Sequence, residues 1–455
     1  MLASTSTFTS AYASVGAAKL RKHLSMDALC LLVRSEFEKI LDHRRQETVC
    51  IPLADALMSG FAVFSLKDPS LLAFDKRRKD ANMKQLFGIG QIPSDTQMRE
   101  ILDGVDPEDL RPLFGDVFRE LQRGKALEPF LFHEECYLLS LDGTGYFSSQ
   151  NIHCDCCLHK VNKTTGEVTY AHQMLGVAIV HPDFKEVIPL APEPIINQDG
   201  DNKNDCERNA AKRLLRKIRK EHPRLKLIVI EDGLASNGPH IRELLGLNMH
   251  FILGVKPGDH AFLFEQTIEA FEDGRMTTIS WQEGQTLCEI TYVKGVMLNE
   301  SNQDLLVNFI SYAEYAPDGH HQKRFSWVTD LNITRGNARK LVRGGRARWK
   351  IENETFNTLK NQGYHFEHNF GHGKQNLSVV FAMLMMLAFA VDQAQQLCCP
   401  LFRAVWKKLG SKRALWDNLR SHFRHFRFQS MRHLYEVILY DLGKEVPAPT
   451  IDDSS

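Results

Sequence analysis

The chain has 455 residues, 43% of them hydrophobic and 25% charged, and its 56 Lys and Arg balance 56 Asp and Glu. This composition excludes a disordered, collagenous or small disulfide-framed protein and leaves room for a large core in more than one domain. The one long apolar run, residues 377–391, stops at Asp392 and is too short to span a bilayer, so it reads as a buried core helix and no membrane partner is expected.

Residues 1–15 are rich in Ser, Thr and Ala and read as disordered, with no apolar stretch that would mark a secretion signal. The ten cysteines are therefore expected as reduced thiols, and the protein is expected in the cytoplasm. Residues 16–130 read as a helical accessory domain for DNA binding or assembly. Ser94 and Gln97 carry a capping-box signature there, ahead of "MREIL".

Residues 131–275 change period. Stretches 136–149, 168–182 and 185–196 read as three successive strands separated by turn formers. "DCERNAAKRLLRKIRKEH" follows as an amphipathic helix with Ala210, Leu214, Leu215 and Ile218 on one side. "LKLIVIE" is a buried-type strand, "NGPHIRELLG" a short helix and "HFILGVK" another strand. Three strands, helix, strand, helix, strand is the order of a ribonuclease-H-like mixed α/β core, in which the first and fourth strands lie side by side at the sheet centre. Residues 276–332 read as a β-rich antiparallel insertion, 333–398 as the helical remainder of the core, and 399–455 as basic C-terminal helices and a tail.

Three acids sit where such a core needs them. Asp142 is in "SLDGT" on the first strand, Asp232 ends the fourth in "IVIEDG", and Glu352 lies in the helix-like "RARWKIENETFNTLKNQ". A lone Asp at a strand end is usually a turn former or a helix cap. Three carboxylates brought together are the ligands that hard Mg²⁺ or Mn²⁺ prefers. Two such ions would create a nucleophile and clamp the attacking and leaving oxygens of a phosphodiester.

Charge is also segregated. Residues 334–350 hold seven bases and no acid, and residues 403–432 hold nine bases against Asp417 alone. Either run by itself reads as a solvated helix face. Two runs flanking a carboxylate site point to nucleic acid. The aromatics interleaved in the second run fit either a DNA contact or packing against a partner subunit.

These motifs resemble the DDE transposases of bacterial insertion sequences, in the group with a β-rich insertion between the second Asp and the Glu. The resemblance covers roughly residues 80–395 and rests on "SLDGT", "IVIEDGLASNG" and "DCERNAAKRLL". Above all it rests on Arg348, Trp349, Ile351, Glu352, Phe356, Leu359 and Lys360, which match an Arg-Trp-x-Ile-Glu…Phe…Leu-Lys signature. It implies catalytic and metal-binding roles for Asp142, Asp232 and Glu352. It also implies cleavage at transposon ends, transfer of the freed 3′-OH into target DNA, and a homodimer when assembled on DNA. Arg348 would face the scissile phosphate and Lys360 would track the backbone, with Arg346 and Lys350 as further DNA contacts.

The chain departs from that pattern twice. The family's Tyr seven residues before the Glu is Gly345 here, so hairpin formation is not implied. The family's Lys falls at position eight after the Glu rather than seven, which leaves Glu354 as a rival third ligand; the Arg348–Trp349 register favours Glu352.

Other readings weigh less. His153, Cys154, Cys157 and His159, with Cys206 at a distance, suggest zinc, but they lack the second ligand pair of usual structural sites, and reduced thiols are preferred. Histidines 365, 368 and 372 read as a polar loop before a metal site, and Tyr364 and Phe370 as core residues before base-stacking ones. No nucleotide-binding loop or hydrolase elbow is present. The rivals to a transposase are a metal-dependent nuclease on the same fold and a non-catalytic, transposon-derived DNA-binding protein.

Overall fold

A computed structural model describes residues 21–441 apart from 46, 48, 198–204 and 319. The reading of residues 1–15 as disordered, and most of the tail, lies outside the described residues. The chain divides into two compact units, one of residues 1–126 with 359–455 and one of residues 127–358. The first is helical. Its centre is the apolar pair Leu53–Ser65 and Leu377–Cys398, both buried nearly throughout. The second helix is long and apolar enough to cross a membrane, but its apolar window is wholly buried in the protein, the expected core helix. Gly60 allows the two to approach closely, since a Cβ there would lie 2.8 Å from Leu384. The capping box of Ser94 and Gln97 is formed as read.

Aromatic residues of the basic C-terminal segment, among them Phe402, Trp416, Phe423 and Tyr435, are buried in this helical unit, as are Tyr364 and Phe370. Several bases between them, including Arg403, Lys407, Arg413 and Arg424, stay exposed. An amphipathic helix does both at once.

The second unit is built on one sheet, whose strands are β1 (Leu131–His133), β2 (Cys136–Ser149), β3 (Leu158–Val161), β4 (Val168–Val180), β5 (Ile188–Pro189), β6 (Glu193–Ile195), β7 (Leu227–Glu231), β8 (His250–Gly254), β9 (Thr277–Glu283), β10 (Thr286–Met297), β11 (Leu306–Tyr315) and β12 (His321–Thr329). The main path runs β3-β4-β2-β7-β8-β12-β11-β10-β9. β2 pairs antiparallel with β4 and parallel with β7, and β7 runs parallel to β8. β5 and β6 also pair with β4. The core order is thus third, second, first, fourth, fifth, the ribonuclease-H-like order expected from the element sequence.

All five residues of β7 are buried, as a strand covered on both faces should be. The Glu207–Glu221 helix covers one face with Ala210, Leu214, Leu215 and Ile218.

Several details differ from the sequence reading. The single strand expected at 185–196 is broken into β5 and β6, because Pro189, Pro192 and Pro194 cannot donate to a ladder. β3, read as part of a cysteine cluster, pairs with β4 through the 162–167 turn. A helix at Ala261–Glu272, not foreseen, packs against β10, and its Phe264 lies edge-on to Phe309 of β11. The insertion continues the core sheet, since β12 joins β8 through Trp327↔Gly254 to Thr329↔Ile252.

Candidate active site

The β2–β7 ladder sets the geometry of the acids. Its parallel register pairs Ser140 with Ile230. Two positions further along each strand stand Asp142 and Asp232, ninety apart in sequence like every pair in that ladder. Adjacent strands lie roughly 4.8 Å apart, which is within reach of a shared cation. Asp232 is the N-cap of the short helical turn Gly233–Ala235, where its Oδ1 accepts from the Leu234 amide at 2.9 Å. Asp142 is half-buried, and its Oδ1 accepts from the Gly143 amide at 3.0 Å.

Glu352 comes to Asp142 on the segment Ile351–Phe356, which winds as a π-helix. Such wide turns are rare and often mark functional sites. Two contacts seat the segment on the sheet. The Ser140 hydroxyl donates to the Arg348 carbonyl at 3.1 Å. Phe356 lies against Gly176, the β4 residue opposite Asp142, so closely that a Cβ there would stand 2.7 Å from the ring. Gly176 is therefore the notch that receives the helix bearing Glu352.

The electrostatics are those of crowded carboxylates. Burial first, then its hydrogen bond with Glu352 and the charges of Glu352 and Glu207, push the Asp142 carboxyl up to about 7, against the pull of Arg348. Arg348 lies between the two acids, 2.9 Å from Glu352 and 3.4 Å from Asp142. The structure thus brings Arg348 onto the carboxylates themselves, where it is their counter-ion.

Glu207 is a fourth acid that the sequence reading left unassigned. It opens the Glu207–Glu221 helix, and a Cβ on Gly143 would lie 2.1 Å from its Oε1. Burial, followed by the charge of Asp232, raises its pKa. Asp142, Glu207 and Asp232 line one cavity of about 270 Å³, with Lys212 and His240 also on its wall. There the buried His240 meets Glu231 at 2.6 Å. Glu207→Gln is expected to raise the unfolding temperature in EDTA by a few degrees, because it removes one crowding charge. A lower unfolding temperature in a melting curve would show that Glu207 instead stabilises the fold by its charge.

Other bases named from the sequence are partnered within their own unit. Arg346 is 3.7 Å from Glu314 and lies over the rings of Tyr312 and Phe325. Lys350 donates to the Phe184 carbonyl. In the helical unit, Lys360 pairs with Glu367 at 2.9 Å. Gly345 has no room for the family's Tyr, since a Cβ there would stand 2.6 Å from the indole of Trp327.

The family described as Transposase DDE domain matches residues 161–390. The match takes in Asp232 and Glu352 and begins after Asp142. No curated protein matches the chain. Among solved structures the chain is similar to piggyBac transposase in a cryo-EM synaptic complex with hairpin DNA, at 13% identity and a TM-score of 0.41, over 96% of this chain and 88% of that one. That likeness is too distant to bear on the site. With the domain match extending over half of its length, the chain belongs to the DDE transposase family.

Proposed function

We propose that this transposase serves a bacterial insertion sequence, acting in the cytoplasm as a homodimer on double-stranded DNA. It would cleave the element's ends and transfer the freed 3′-OH into target DNA, with Asp142, Asp232 and Glu352 as catalytic residues. The observations that carry this reading are that Asp142 of β2 shares one cavity with Asp232 at the end of β7, and that Asp142 lies beside Glu352 of the π-helix with Arg348 against both. There the Arg348 guanidinium offsets part of the negative charge, and the Asp142 carboxyl is pushed up to about 7.

That donor set suits Mg²⁺ or Mn²⁺, since every ligand is a hard oxygen and the charge is undercompensated. Asp142 and Asp232 would hold cations between them, two ions in all, with Glu352 completing the second. When bound, such ions supply Lewis acid polarisation of the phosphodiester and activation of the attacking oxygen. Arg348, displaced from the two acids by the incoming cations, would be free to turn its fork to a phosphate of the bound strand. The deciding experiment incubates the protein and DNA bearing the element's ends with Mg²⁺. Cleavage followed by joining to a target supports a transposase, cleavage alone a nuclease, and binding alone a DNA-binding relic.

The raised Asp142 carboxyl gives a pH dependence. Its folded pKa, about 7, lies above the ordinary 3.8. A raised carboxyl stabilises the metal-free fold at low pH, and that contribution is lost as pH rises through the folded value. Cation binding must expel the carboxyl proton, so below pH 7 the apparent Mn²⁺ affinity is expected to fall about tenfold per pH unit, flattening above it. Calorimetric titration across that range measures it, and a pH-independent affinity would remove Asp142 from the ligand set.

A further inference from the structure

We infer that Cys154, Cys157 and His172 form a structural zinc site, separate from the carboxylate site. The sequence suggested His153, His159 and Cys206 as companions of the two cysteines, and the fold selects a different histidine. His153 stacks on Tyr170, and Cys206 is exposed at the start of the Glu207–Glu221 helix. His172 sits on β4, opposite Phe147 of β2, and is completely buried. Its Nε2 is 3.3 Å from the Cys154 sulfur and 3.4 Å from the Cys157 sulfur, and the two sulfurs are 3.8 Å apart.

These three distances decide the chemistry. A disulfide holds its sulfurs at about 2.05 Å, so the pair is not bonded. Zinc bonds of about 2.3 Å to sulfur and 2.0–2.1 Å to nitrogen, set at tetrahedral angles, place two thiolates about 3.8 Å apart and a thiolate and an imidazole nitrogen about 3.5 Å apart. The three atoms therefore form one face of a tetrahedron of the right size. A plain hydrogen-bond network explains the arrangement less well. A neutral imidazole offers one lone pair or one proton at Nε2, and two sulfurs would have to share it.

The local backbone is shaped for the same purpose. The Cys157 amide donates to the Cys154 carbonyl at 3.1 Å, closing a turn that brings both sulfurs to one side. The Cys154 amide is 3.4 Å from the Cys157 sulfur, the kind of N–H contact that supports a thiolate ligand. The site would staple the β2–β3 connection to β4. His172 and Gly176 stand on the same strand, so the staple lies roughly 13 Å along β4 from the residue opposite Asp142 and fixes the far end of the strand pair that carries it. A closed structural site takes a fourth ligand.

The test is metal content and cobalt spectroscopy on the full chain. Protein purified without added metal should contain about one zinc per chain. Cobalt in its place should give the visible and sulfur-to-metal charge-transfer bands of a tetrahedral thiolate site. Cys154→Ser, Cys157→Ser and His172→Gln should each lose the zinc, while Asp142→Asn keeps it. Single substitutions of His153, His159, His365, His368 and His372, the remaining histidines of the two segments singled out in the sequence, then search for the fourth donor. Because the serine variants can fail to fold, Cys157→His is made as well. It keeps a donor at that position and should keep tetrahedral cobalt with about half of the charge-transfer intensity, one of two thiolates being gone. A zinc-free wild type that gives only six-coordinate cobalt spectra overturns the inference, and so does zinc that survives both serine substitutions.

Discussion

Asp142→Asn is expected to lower end cleavage by at least about a thousandfold, or roughly 4 kcal/mol of transition-state stabilisation, while leaving DNA affinity within a few-fold. The amide keeps the shape of the side chain and can still accept from the Gly143 amide. What it removes is the charge that a divalent cation needs from this position. The same change should make the metal-free protein more stable, because the burial and the neighbouring carboxylates that push Asp142 up to about 7 no longer act on an ionisable group. It should also abolish the rise in unfolding temperature that Mn²⁺ gives the wild type. The three readouts belong together. Wild-type cleavage would sink the assignment outright. Lost cleavage in a destabilised protein would point to a structural role instead.

The residues behind that prediction differ in how far the sequence announced them. Asp142 and Asp232 were legible because each ends or interrupts an apolar strand, and the strand order then makes them neighbours across one ladder. Glu207 was not. An acid in the first turn of a helix is ordinary dipole chemistry, and nothing local reveals that Gly143 leaves it space above the neighbouring strand. Arg348 was legible as a base one helical turn from Glu352, but its contact with both acids depends on how the π-helix seats on β2. His172 was hidden because it follows Cys157 by fifteen residues, inside a segment already accounted for as a strand. The grouping of residues 359–455 with 1–126 is a property of long-range packing, which local pattern does not encode.

The choice between Glu352 and Glu354 gives the second large effect. Glu352→Gln should abolish cleavage as thoroughly as Asp142→Asn, by about a thousandfold or more, whereas Glu354→Gln should leave the rate within a few-fold. Two residues carry a side chain roughly 200° around an α-helix, and somewhat less around the wider π turn, so the two acids cannot both face β2. Glu352 is the one hydrogen-bonded to Asp142 and paired with Arg348. Its register is held from both sides, by the Ser140–Arg348 hydrogen bond before it and by Phe356 in the Gly176 notch after it. The notch supplies an independent check. A valine at position 176 would collide with the Phe356 ring, so Gly176→Val should lift the helix off the strand and lower cleavage as far as Glu352→Gln does, with all four acids intact. Cleavage rates for the three variants, measured beside a DNA-binding assay, decide the matter. If Glu354→Gln is the inactive one, the helix turns by half a revolution when DNA binds and the third ligand is Glu354. If Gly176→Val cleaves normally, Glu352 is not held in place by the notch.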